Sequence, residues 1–322
     1  MKTSMRLKLS IFNLILTALL SLHFGPVQGD ELTLLPNADL VIHESAGNSQ
    51  IVITTTARLA GAVHSLTWGG KEFIDSHDHG RQLQSACSFD GGSAFWAEAY
   101  NPTEAGSRDD GAGMKSTSRL LHSIATNDSL QTTTQMAFWL APGQMSDKFL
   151  AKNTATLSNH LVTKRVRIGL LDLPHVVRFD VTFSVPIGER HTFAQFEALT
   201  GYMPEEFRAF WFFRPQTSEL EPLADGPGEQ PFPVVLSTEN GGHAMGIFSP
   251  PITSGTSTAA GNPGYGRWRF GPEKVVKWNS VFRVRRESGI EAGEYSFRNF
   301  VVVGDRETVR KSLAELHRLF AK

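Results

Sequence analysis

Short runs rich in Val, Ile, Thr and Phe recur along the chain between clusters of Gly, Pro, Asn and Asp. Several alternate apolar and polar positions, as in a strand with one face in a core and one in water. Residues 50–55 alternate well, and 62–68 follow. Gly69-Gly70 then supplies the positive φ angles of a tight hairpin turn before 71–74 returns. Further strands are expected at 119–124, 130–140, 160–168, 176–185, 192–200, 208–213, 234–238, 244–248, 276–284 and 295–303. Asn240-Gly241 is the strongest short hairpin signal in the chain. One segment has helical spacing: Val309, Leu313, Leu316 and Phe320 share a face, Asp305 can cap it, and Glu307 suits its positive end. The pattern predicts a mostly β protein, an antiparallel two-sheet sandwich whose single C-terminal helix, 305–320, lies against the outside of a sheet.

The first 29 residues read as a leader. Lys2, Arg6 and Lys8 form a basic start, residues 11–24 are apolar, and Val27 and Gly29 suit the positions before a cleavage site. A run of about 14 residues falls short of the ~20 needed to span a bilayer. The expectation is an exported, secreted or periplasmic protein with one folded domain at 30–322 and no membrane span. Removing the leader takes Lys+Arg from 31 to 28 against 32 Asp+Glu. That mildly acidic balance argues against a nucleic-acid partner. Cys87 is the sole cysteine, so no intrachain disulfide forms.

Candidate chemistry concentrates between His77 and Asp110. This stretch carries His77, His79, Arg81, Glu98, Tyr100, Asn101, Glu104, Arg108, Asp109 and Asp110. Imidazoles, acids, a phenol and guanidiniums are the parts of acid–base catalysis or sugar binding, and long loops on a rigid scaffold are where such sites collect. His77 and His79, read as alternate positions of one strand with Arg81, would face the same way. No further ligand set accompanies them, so no cofactor is expected, and a divalent metal has no support beyond the H-x-H pair. Glu239 and His243 straddle the Asn240-Gly241 turn and form a second focus. Trp268, in the loop-like phrase GYGRWRFG, is the best candidate for an exposed stacking contact.

The phrase GAVHSLTWGGKEFIDSHDHGRQLQ, Gly61 to Gln84, resembles the opening strands of galactose mutarotase-like proteins. The resemblance implies a large antiparallel supersandwich that holds carbohydrate on a concave face. It implies a sugar-binding role for Arg81, and Glu239 stands where the late catalytic Glu of aldose epimerases would fall. Asn159-His160 matches an epimerase dipeptide, but in a strand-like segment, which turns the expectation away from classical epimerase activity. The expected function is an exported carbohydrate-active protein of lyase or hydrolase type. His79, Glu98, Tyr100 and Glu239 would be its catalytic groups; His77, Arg81, Asn101, Glu104, Arg108, His243 and Trp268 would hold the substrate. The alternative is a non-catalytic secreted carbohydrate-binding or envelope structural protein.

Overall fold

The computed structural model describes residues 36–320; the leader expected at 1–29 lies outside them. The strands are β1 (Val41–Ala46), β2 (Ser49–Thr55), β3 (Val63–Trp68), β4 (Lys71–Glu72), β5 (Leu83–Phe89), β6 (Pro102–Thr103), β7 (Arg119–Ala125), β8 (Ser129–Phe138), β9 (Met145–Ser146), β10 (Phe149–Leu150) and β11 (Leu157–Leu170). They continue with β12 (Leu173–Val185), β13 (Phe193–Pro204), β14 (Ala209–Arg214), β15 (Glu219–Pro222), β16 (Gly228–Gln230), β17 (Val234–Ser237), β18 (Ala244–Phe248), β19 (Gly264–Phe270), β20 (Val275–Arg285) and β21 (Gly293–Gly304). Helix α1 (Arg306–Phe320) closes the described chain.

Antiparallel pairing builds two layers. One runs β7-β8-β11-β12-β21-β18-β17-β14-β15. The other runs β1-β2-β3-β5-β13-β20-β19-β16. The short β6 pairs with both β5 and β8 and stitches the layers into one ladder. Aromatic rings fill the space between them: Phe183 meets Phe196 at 5.3 Å, Phe196 meets Tyr295 at 4.9 Å, and Phe282 meets Phe297 at 4.5 Å. The mostly antiparallel β architecture with one C-terminal helix expected from the sequence is the one observed, the two layers being parts of one 19-stranded sheet beside the small β9–β10 hairpin.

Both hairpin turns form as read, with Gly69, Gly70 and Gly241 at positive φ. Helix α1 starts where Asp305 accepts a hydrogen bond from the Thr308 N–H at 2.7 Å. It buries Val309, Leu313 and Leu316 against Val176, Val235, Phe248, Phe300 and Val302 on the outer face of the first layer. Gly246 permits that approach, because a Cβ there would stand 2.9 Å from Val309.

Two expectations need correction, and one strand was not foreseen. Residues 73–82 form coil and a turn, not a strand. Asp75 and Asp78 hold it, their side chains accepting from the backbone N–H groups of His77 and Gly80. Trp268 lies on strand β19, not in a loop. Strand β5 escaped notice because all seven of its residues are buried, so its run LQSACSF shows no alternation of water-facing positions.

Candidate functional site

A groove of about 290 Å³ lies on the second layer, on the face turned away from the core. Strand β5 contributes Gln84, Ala86 and Ser88; β13 contributes Glu197 and Tyr202; β20 contributes Lys277; β19 contributes Trp268 and Phe270. Glu98, Asn101 and Trp139 reach in from the connections above.

Two local features set the floor. A bulge in β13 inserts one residue between Glu197 and Leu199, so the ladder runs Glu197 opposite Ala86 and Thr200 opposite Gln84. Without the extra residue the later side chains would face the core; with it, Glu197, Thr200 and Tyr202 share a face. The Thr200 hydroxyl donates to Glu197 Oε2 at 2.9 Å. Second, Gly266 lets the Trp268 indole lie across β19: a Cβ at 266 would stand 2.3 Å from the ring.

Lys277 occupies the centre of this floor. Its Nζ is 3.5 Å from Glu197 Oε2, 4.8 Å from the Trp268 ring centre and 5.0 Å from that of Tyr202. Burial disfavours its charge, but the Glu197 carboxylate and the Tyr202 hydroxyl outweigh that, and the Lys277 pKa is raised. Burial likewise disfavours the Glu197 carboxylate, yet Lys277 and hydrogen bonds from Thr200 and Asn279 hold its pKa below the usual range. Above the floor, the Asn101 amide is fixed by donation to the Cys87 carbonyl and the Ser88 hydroxyl, both at 2.9 Å.

Of the residues expected from the sequence, Glu98, Asn101 and Trp268 meet in this groove; the others do not. His79 is buried, with Nδ1 and Nε2 each 2.8 Å from a backbone carbonyl, of Gly111 and Arg58, so neither nitrogen reaches a ligand. His77 is exposed on the turn. Arg81 turns one edge of its guanidinium to Asp78, at 2.9 Å through both Nε and Nη2, with Asp75 at 3.9 Å from Nη1, so its charge is already matched by carboxylates. Glu104 is enclosed in the core as the partner of Lys164, at 2.5 Å, and also accepts from the Ser85 N–H. Arg108 is exposed and donates to Met145 O and Gln144 Oε1 beside the β9–β10 hairpin.

Tyr100 turns inward between its two groove-facing neighbours. It packs on Phe89, Phe138 and His191. Burial, and then Glu189, raise its pKa, the wrong direction for a base. His191 Nε2 donates to Glu189 Oε2 at 2.8 Å. His160 Nε2 stands 3.3 Å from the same oxygen without a well-formed hydrogen bond, and burial pushes the His160 pKa down to about 4.

Glu239 and His243 line a separate, open groove of about 700 Å³ with Lys71, Glu206 and Arg208. Glu239 is paired with Arg208 at 2.7 Å, and His243 packs edge-on against Trp68. The sequence reading missed Glu197, Tyr202 and Lys277. Part of the signal was there: Glu197 is the sole charge of strand β13, FAQFEALTGYMP, whereas Lys277 shares β20 with Arg283 and Arg285 and stands out less.

Among the described residues, no group of three or more His, Cys, Asp or Glu side chains is placed to hold a metal ion. No described helix is long and apolar enough to cross a membrane. No family model matches the sequence, and no curated protein does. Solved structures with a similar chain path include an α-galactosidase from Lactobacillus brevis (TM-score 0.47, 8% identity, covering 88% of this chain and 42% of that one). An α-mannosidase from Enterococcus faecalis matches at TM-score 0.47 and 12% identity, over 87% of this chain and 31% of that one. A candidate aldose 1-epimerase from Klebsiella pneumoniae matches at 0.43 and 8%, over 88% and 92%. The chain thus spans less than half of the first two proteins, and at TM-scores below 0.5 these likenesses assign no activity.

Proposed function

We propose that this protein is exported and binds a neutral carbohydrate in the groove over β5, β13, β20 and β19. The observation that carries this reading is the lining itself. Trp139, Trp268 and Phe270 offer apolar faces of the kind that stack on sugar rings, while Gln84, Glu98, Asn101 and Glu197 offer hydrogen-bonding groups for hydroxyls. The groove's charges are Glu98, Glu197 and Lys277, and the lysine is already matched by Glu197. A uronate would meet no unmatched cation there, so a neutral sugar fits better than an acidic one. Export is supported by the basic start and apolar run of residues 1–29.

Recognition is favoured over lyase chemistry because Tyr100, expected among the catalytic groups, and Arg81, expected to hold the substrate, are both engaged elsewhere. A hydrolytic reading has one observation of its own: two carboxylates, Glu98 and Glu197, line the same groove. The lowered pKa of Glu197 suits a base or nucleophile and not the proton donor, which assigns the acid role in that reading to Glu98. Screening the purified protein against arrayed neutral and acidic oligosaccharides tests the proposal. Retention of at least one neutral glycan, lost in Trp268→Ala, is expected, and reducing-sugar release from that glycan would extend the proposal to hydrolysis. Retention of acidic glycans alone would overturn it for this groove. Cell fractionation with mass spectrometry tests the leader; protein that stays in the cytoplasm with Met1 intact would contradict export.

A further inference from the structure

The outer face of the first layer carries a second, differently charged surface. Where α1 covers this face, the cross-strand positions are apolar, with Val176 opposite Val302. Beyond the helix the same face changes character. Thr133, Thr163, Thr182 and Ser296 form one row across β8, β11, β12 and β21. Gln131, Arg165, Asp180 and Arg298 form the next. Arg167 and Arg178 then stand directly opposite each other across β11 and β12. Like charges at such positions repel, and Asp128, 3.1 Å from Arg167, and Asp180, 2.9 Å from Arg178, offset only part of that cost.

Two hollows lie along these rows. One of about 320 Å³ is lined by Arg165, Arg167 and Arg178 and by no carboxylate among the described residues. The other, of about 470 Å³, adds Arg298, with Asp180 as its only lining carboxylate. Arg165 and Arg178 line both, so the hollows form one trough. Arg167 is paired with Asp128 at 3.1 Å, Asp180 is shared by Arg178 at 2.9 Å and Arg298 at 2.6 Å, and Arg165 donates to the Gln131 amide and not to a carboxylate, which sets four arginines against two aspartates. This cationic excess sits on a chain whose 31 basic and 32 acidic residues nearly balance.

We propose that the trough binds an anionic polysaccharide, its carboxylate or sulfate groups seated on Arg165, Arg167 and Arg178 and its hydroxyls on the Thr/Ser row and Gln131. Guanidinium forks match the geometry of such oxyanions. A negative group between Arg167 and Arg178 would turn their repulsion into shared attraction. Among the described residues Phe297 is the one aromatic lining either hollow, and it is buried in the core and not free to stack on nucleic-acid bases, which favours a sugar chain over a single-stranded nucleic acid. The trough is on the opposite layer from the neutral-sugar groove and does not depend on it.

Affinity electrophoresis through gels containing dextran sulfate, polygalacturonate or uncharged dextran tests the proposal. The full-length protein should be retarded by at least one of the two polyanions and not by dextran. The Arg165→Gln/Arg178→Gln variant should lose affinity at least tenfold with a shallower salt dependence. Arg165→Lys/Arg178→Lys should retain part of the binding and serves as the control for folding. Trp268→Ala, altered only in the other groove, should bind the polyanion as the wild type does, which separates failure of this proposal from failure of the other. Absence of retardation by both polyanions, a Gln variant that binds like the wild type, or equal binding to anionic phospholipid vesicles or single-stranded DNA would overturn it.

Discussion

Two glutamate–lysine pairs in this protein have the same chemistry and opposite circumstances. Glu104 and Lys164 are each 1% exposed, sealed between the layers at 2.5 Å. Glu197 and Lys277, at 3.5 Å, lie on the floor of a groove that opens to solvent, with side chains 18% and 14% exposed. The lysines respond in opposite directions. Burial lowers the Lys164 pKa against the pull of Glu104, while Lys277, with Glu197 and the Tyr202 hydroxyl both beside it, is raised. A charge pair enclosed on all sides serves the fold; one that keeps an open side, flanked by aromatic rings, can meet a ligand.

Breaking the buried pair should have the largest effect. Lys164→Met leaves Glu104 without its cation and should cost about 3–5 kcal/mol in chemical denaturation, whereas Lys164→Met combined with Glu104→Leu should recover most of the loss. A double variant as unstable as the single one would show that the pair itself, and not the stranded charge, matters.

His160 sharpens the contrast by being enclosed without a well-formed partner. Burial holds its pKa near 4, below the ordinary 6.5, so between those values the unfolded chain binds the extra proton. Stability from this residue is complete above about pH 6.5 and is lost as pH falls towards 4, by ~3 kcal/mol in all. His160→Leu should flatten the stability profile across that window, and an unchanged slope would assign the acid sensitivity elsewhere.

Lys277→Met should cost less, about 1–2 kcal/mol, because Glu197 keeps its hydrogen bonds and its access to water. Sugar affinity should fall much more than stability does. The smallest effect belongs to a third pair, Lys71 and Glu206, 2.6 Å apart with side chains 29% and 47% exposed. Lys71→Ala should change the unfolding free energy by less than about 1 kcal/mol. The three lysine variants together would place cost against burial.

How much of this could be read beforehand depended on which force set each position. The alternating strands, the two glycine-bearing turns and the capped helix follow from local chemistry, and they fold where the pattern put them. Fully buried β5 lacks alternation and so lacks that signal. Polar residue type was the weaker guide to the site. The dense stretch from His77 to Asp110 supplies Glu98 and Asn101 to the groove, but His79, Arg81 and Glu104 are consumed by backbone carbonyls, a neighbouring aspartate and a buried lysine. Glu197 and Tyr202 share their face because of a bulge, and local composition does not announce the position of one inserted residue. Glu197, the lone charge of strand β13, was the sharper clue.

Trp268 and the Glu197–Lys277 floor are proposed to form a carbohydrate site. Calorimetric titration of wild type and Trp268→Ala, with the neutral oligosaccharide that the array retains best, tests it most directly. The account predicts saturable one-site binding by the wild type, at least a tenfold weaker affinity in the variant, and nearly equal melting temperatures. Equal affinity in both proteins, or no neutral oligosaccharide that saturates the wild type, would contradict it.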